Sequence, residues 1–229
     1  MKKMAPSVVQ EHVLQPGNRR YTLALPAGYT DDHPVGLVLG LHYGGQVTPY
    51  YGRGLLAGLV EPALRGLGTI IVAPDCPIAT TDWTHPDSEA YVLELLDHIR
   101  ATYAIDAQRT LITGYSMGGI GTWYLAALHQ ERFAAALPMA AHPPKAAVDV
   151  PWRIPLYIIH SRRDELFPLE PVEAAVGRLK TQGAVIDLAL MDSITHYETH
   201  RFVAPLRDAI PWIEDAWHQV SRQGVETHV

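Results

Sequence analysis

The sequence predicts an α/β fold built on a mostly parallel sheet with helices on both faces. Three observations point to it. Short β-rich runs alternate with longer segments of helical period. Several runs, Val35–Leu41 and 156–159 among them, are apolar on both faces, as strands covered on two sides must be. The one breaker cluster of any length, residues 142–155 with Pro143, Pro144, Pro151 and Pro155, is too short to form a separate lid domain.

The strands read as 21–25, 35–41, 69–73, 110–113, 134–139, 156–160 and 185–191. Between them, residues 88–103 place Val92, Leu95, Leu96, Ile99 and Tyr103 on one stripe of a helix, with Asp87 and Ser88 offering the N-cap. Residues 120–129 read as a helix after the fourth strand. Val172, Val176 and Leu179 form another stripe, entered through Pro171 and stopped by Gly183. A last helix is expected over 204–220, and Pro211 inside it predicts a kink or a restart.

With 229 residues, 48 % apolar and 18 % charged, the chain suits one domain over 1–229 with a sizeable core. A net charge of −6 argues against nucleic acid or an anionic membrane as partner, since both call for a basic footprint. The single cysteine, Cys76, cannot form an internal disulfide or a thiolate-rich zinc site and suits a reducing compartment. No stretch approaches the ~18 apolar residues of a membrane helix. The basic start Met1-Lys2-Lys3 leads into no long apolar core and makes a poor signal peptide, so a cytoplasmic location is expected.

Chemistry concentrates at Gly114-Tyr115-Ser116-Met117-Gly118-Gly119, between a strand and a helix. In a Gly-x-Ser-x-Gly turn, neighbouring backbone comes too close for side chains two before and two after the serine. Such a turn exposes Ser116 Oγ at its tip, with the positive end of the next helix behind it. The Met117 N–H is then directed to the place where an oxyanion would form.

On these residues the chain resembles the α/β-hydrolase superfamily. More narrowly it is similar to small serine esterases of the phospholipase/carboxylesterase, polyhydroxybutyrate-depolymerase-like and dienelactone-hydrolase-like groups. The resemblance includes Tyr21-Thr22-Leu23-Ala24-Leu25-Pro26 with Gly28-Tyr29, Leu41-His42-Tyr43-Gly44-Gly45, and Tyr103-Ala104-Ile105-Asp106. It continues through Gly121-Thr122-Trp123 and Ile159-His160-Ser161-Arg162-Arg163-Asp164. It implies that the acid follows the serine and precedes the histidine. Asp164 fits the acid, with Glu165 and then Asp192 as alternatives, although Ser161 stands where the family has glycine. His196, directly after the last strand, fits the base; His200 is the alternative, expected in the first turn of a following helix. Among 12 histidines, position rather than residue type carries that choice. Gly44 fits the second oxyanion donor, and Tyr43, where glycine is usual, is either a neighbouring donor or a phenol near the site. Tyr50, Trp83 and His85 lie in loops at the strand ends, where a substrate pocket would form.

The implied activity is hydrolysis of short-chain or small carboxylic esters through an acyl-enzyme, in an open cleft and with no cofactor or metal. Feruloyl, acetyl-xylan, lactone and small aliphatic esters all fit. Two alternatives stand beside it: a prolyl-oligopeptidase-like peptidase or amidase, and an inactive hydrolase fold used as a binding module. Metal readings fail on spacing. In His196-Tyr197-Glu198-Thr199-His200 the glutamate is one residue late for a zinc protease helix. The His-x-Glu of a zinc deaminase lacks its downstream cysteine pair.

Overall fold

The computed structural model describes residues 5–226. Strand β1 (Val8–Leu14) turns into β2 (Arg19–Leu25), followed by β3 (Val35–Leu41). A helical stretch comprises α1 (Gly52–Leu55), a wide π-type turn over Leu56–Val60 and α2 (Glu61–Leu64). Then come β4 (Ile70–Pro74), α3 (Pro86–Thr102), β5 (Ile105–Tyr115), α4 (Met117–Leu128) and β6 (Ala135–Met139). The chain continues through α5 (Lys145–Val148), β7 (Leu156–Ser161), α6 (Leu169–Thr181), β8 (Ile186–Met191), α7 (Val203–Asp208) and α8 (Ile210–Glu226).

The strands form one eight-stranded sheet in the order β1-β2-β4-β3-β5-β6-β7-β8. The first two pairings are antiparallel and all the others parallel. Strand periodicity divides the core into two layers. Leu37, Leu39 and Leu41 point to one face, where Val92, Leu95, Leu96 and Ile99 of α3, Trp123 of α4 and Val172 of α6 cover them. Val38, between them, points to the other face and packs with Leu55 of α1, Leu64 of α2, Leu206 of α7 and Ile213 of α8. Fully burying each such Leu or Ile contributes about 1.5–3 kcal/mol of transfer free energy, which is why these stripes become helices on a sheet.

The expected sheet with helices on both faces is present, and several details differ. Strand β1 was not expected; it is an edge strand whose Val8, Val9 and Val13 remain exposed, so it lacks the apolar face that periodicity detects. Strand β5 starts at Ile105 rather than 110. Helix α3 is capped by His85, whose Nδ1 accepts the Asp87 N–H at 3.2 Å, rather than by Asp87 or Ser88. Ser88 is instead buried, its hydroxyl donating to the Asp82 carbonyl at 2.5 Å. The C-terminal helix restarts as expected: α7 ends at Asp208 and α8 begins at Ile210, with Pro211 in its first turn, where no intrahelical N–H is required. The breaker cluster holds only the single-turn α5. Among the described residues, no helix is long and apolar enough to cross a membrane.

Candidate active site

Ser116 occupies the one-residue bend between β5, at the centre of the sheet, and α4. Its φ of 56° lies in the left-handed region, a strain of about 1–3 kcal/mol for a non-glycine residue. Its N–H donates to the Met139 carbonyl of β6 at 3.0 Å, which holds the bend against the sheet. The flanking glycines explain the motif. A Cβ on Gly114 would sit 2.2 Å from the Gly118 carbonyl oxygen, and one on Gly118 would sit 1.8 Å from the Leu41 carbonyl oxygen. The strand–helix crossing closes only where no side chain intervenes.

Two loops at the same end of the sheet supply the facing groups. After β7, Asp164 Oδ1 accepts the N–H groups of Leu166 at 3.0 Å and Phe167 at 2.8 Å. Its Oδ2 accepts from Nδ1 of His196 at 2.9 Å, in the loop after β8. That bond places the imidazole proton on Nδ1 and leaves Nε2 to accept the Ser116 hydroxyl, also at 2.9 Å. Burial pushes the Asp164 pKa up, but the hydrogen bonds from His196 and from the Phe167 N–H lead the effects that outweigh it. The carboxyl is held below its ordinary value and stays ionised at neutral pH. All three side chains belong to buried residues, Ser116 being 8 % exposed. A serine hydroxyl donating to an imidazole that a carboxylate orients can lose its proton as it attacks an electrophile.

The alternatives fall elsewhere. Asp192 pairs with Arg162 at 3.1 Å on the surface. His200 is exposed in the 3₁₀ turn Thr199–Phe202. Glu165 does not meet the imidazole; its Oε2 accepts the main-chain N–H of His196 at 2.9 Å.

On the opposite side, Met117 is the first residue of α4, so its N–H has no carbonyl within the helix. Gly44 lies against it: a Cβ there would come 2.9 Å from Met117 Cγ. His42 fixes this loop. Its Nε2 accepts the Cys76 N–H at 2.9 Å, so Nδ1 carries the proton and donates to the Tyr43 carbonyl at 2.8 Å. A cleft of about 550 Å³ opens over the serine, lined by Tyr43, Gly44, Met117, Leu166, Phe167 and Tyr197, with Tyr115, Ser116, His196 and Thr199. Leu166 and Tyr197 are 50 % and 73 % exposed, apolar surface offered at the rim.

Three expected lining residues lie outside this cleft. Trp83 is 1 % exposed, with its indole N–H donating to the His42 carbonyl at 2.9 Å; it braces the loop from behind. Tyr50 holds a turn with φ 60°, its N–H bound to Asp75 Oδ2 at 2.6 Å. His85 caps α3. The lining residues that sequence reasoning missed, Leu166, Phe167 and Tyr197, lie just after Asp164 and His196 in the same loops. That adjacency was the available signal.

The sheet order, the bend and the facing loops are those of an α/β-hydrolase. Two solved structures share the fold: a thermostable esterase (TM-score 0.71, 22 % identity, 91 % of this chain and 62 % of that chain), and a ferulic acid esterase (TM-score 0.75, 18 % identity, 92 % and 99 %). The Esterase family model, described as "Putative esterase", matches residues 80–202, and the chain belongs to that family. Feruloyl esterase C of Emericella nidulans is 27 % identical over 133 residues, covering 54 % of this chain and 46 % of that protein. The chain thus spans about half the length of the curated relatives it matches.

Proposed function

We propose that the chain is a serine carboxylic-ester hydrolase that acts on small esters through an acyl-enzyme. Ser116 attacks the ester carbonyl while His196 takes its proton and returns it to the leaving alkoxide. Asp164 keeps His196 in the reactive tautomer and stabilises the imidazolium. The N–H groups of Met117 and Gly44 receive the tetrahedral oxyanion, each such donor contributing ~3 kcal/mol to the transition state. Tyr43 supplies the wall beside them. Water, activated by the same imidazole, then releases the acid.

The observation that carries this reading is the unbroken series Asp164–His196–Ser116, with both links at 2.9 Å, at the floor of an open cleft. The aromatic and aliphatic lining, Tyr43, Leu166, Phe167 and Tyr197, favours flat aryl or short acyl groups over long chains. The feruloyl esterase relatives support the aryl choice. Among the described residues no lid domain lies over the cleft, so an alcohol portion larger than the cleft can remain in solvent.

An ester panel that varies acyl group and alcohol size, run beside matched anilides, tests the proposal. Short acyl and hydroxycinnamoyl esters should turn over fastest, and a fluorophosphonate should label Ser116. Anilide rates equal to ester rates would overturn the choice of ester over amide. Absence of an adduct would leave a binding module.

A further inference from the structure

Besides its ring hydrogen bonds to Asp164 and Ser116, His196 is held at two main-chain points. Its main-chain N–H donates to Glu165 Oε2 at 2.9 Å, and its main-chain carbonyl accepts the buried Tyr115 hydroxyl. The two partners have a particular origin. Tyr115 immediately precedes Ser116, and Glu165 immediately follows Asp164. The backbone of the base is therefore gauged against the nucleophile by one contact and against the acid by the other.

We propose that Glu165 and Tyr115 are positioning residues that clamp the His196 main chain so that Nε2 meets the Ser116 hydroxyl. The proposal rests on the hydrolase reading above. His196 lies in a loop between β8 and the turn Thr199–Phe202, where no ladder of hydrogen bonds fixes the backbone. An imidazole aimed from a wandering Cα would lose its approach to the serine, and a displacement of ~1 Å can reduce rate by ~100-fold. The Tyr115 ring is itself set, edge-on against Phe202 with centroids 4.8 Å apart. The neighbouring Thr195 has its own tether, its N–H donating to Glu198 Oε2 at 2.8 Å, so the loop does not depend on Glu165 to stay folded.

The test uses Glu165→Ala, Glu165→Gln and Tyr115→Phe, with kcat and KM measured on p-nitrophenyl acetate and melting followed in parallel. Glu165 is exposed, so its variants should melt like the parent. Glu165→Ala and Tyr115→Phe should each lower kcat about tenfold and leave KM within about twofold, because the contact acts on geometry rather than on binding. Glu165→Gln keeps an acceptor oxygen without the charge and should restore at least about half of the parental kcat. Parental kcat in Glu165→Ala, or a Gln variant as impaired as Ala, would overturn the clamp. A parent chain that neither turns over the ester nor reacts with a fluorophosphonate would instead overturn the hydrolase reading beneath it.

Discussion

Cys76 donates its main-chain N–H to Nε2 of His42 at 2.9 Å, tying the loop after β4 to the loop after β3. The contact requires a neutral imidazole. Burial pushes the His42 pKa down to about 4 from 6.5, against the opposing hydrogen bond to the Tyr43 carbonyl. With the folded value depressed, the unfolded chain binds the extra proton first as pH falls. Stability from this group is complete above pH 6.5 and is lost on acidification towards pH 4, by about 3 kcal/mol in all. Melting curves of the parent and His42→Gln at pH 7 and pH 4.5 check this. The variant, which cannot titrate, should show the smaller drop; equal drops would place the acid sensitivity in other groups.

His196 and His200 should separate by orders of magnitude. His196→Ala removes the group that meets both Ser116 and Asp164, and kcat should fall about 10⁴-fold or more. His200→Ala changes an exposed side chain and should stay within about twofold. Steady-state rates on p-nitrophenyl acetate decide between them, and a reversed order would transfer the role.

Glycine substitutions should distinguish the bend from the loop facing it. Gly118→Ala drives a Cβ to 1.8 Å from a main-chain oxygen, which cannot yield, so the loss of stability should reach about 3 kcal/mol or more. Gly44→Ala meets the flexible Met117 side chain at 2.9 Å instead. Its melting should change little while kcat falls, as the neighbouring N–H groups shift. Urea unfolding and steady-state kinetics on the two variants test the contrast.

Tyr197 offers the most exposed apolar surface at the cleft, and its ring packs edge-on against His196 with centroids 5.7 Å apart. Tyr197→Ala should raise KM for aryl esters several-fold and leave acetyl esters nearly unchanged, since a small acyl group does not reach the rim. Equal effects on both esters would place the ring's role in the His196 loop rather than in binding.

The parts legible in the sequence are those where packing leaves little choice of residue. Gly114 and Gly118 must be glycine because backbone from another element stands where a Cβ would be, and this marked Ser116 as the nucleophile candidate. Strands such as β3, apolar on both faces, announced a sheet covered on two sides. The unread parts lack such a constraint. Strand β1 presents Val8, Val9 and Val13 to solvent and is recruited by pairing with β2 rather than by burial. Trp83 was expected in the cleft because aromatic residues in loops have no period to give their direction. Its place behind His42 is set by an indole hydrogen bond to a chain segment 41 residues away. Leu166, Phe167 and Tyr197 escaped for the same reason: loop geometry, not a periodic pattern, brings them to the cleft.

The nucleophile candidate and its partners hang from different parts of the sheet. Ser116 follows β5 in the middle, whereas the acid and base candidates follow β7 and β8, the last two strands at one margin. Of these β8, which leads to His196, is the edge strand, and a strand bonded to one neighbour gives way before an interior strand bonded to two. On heating, proton transfer should therefore fail while most of the scaffold is still folded, and catalysis should vanish several degrees before the spectroscopic melt.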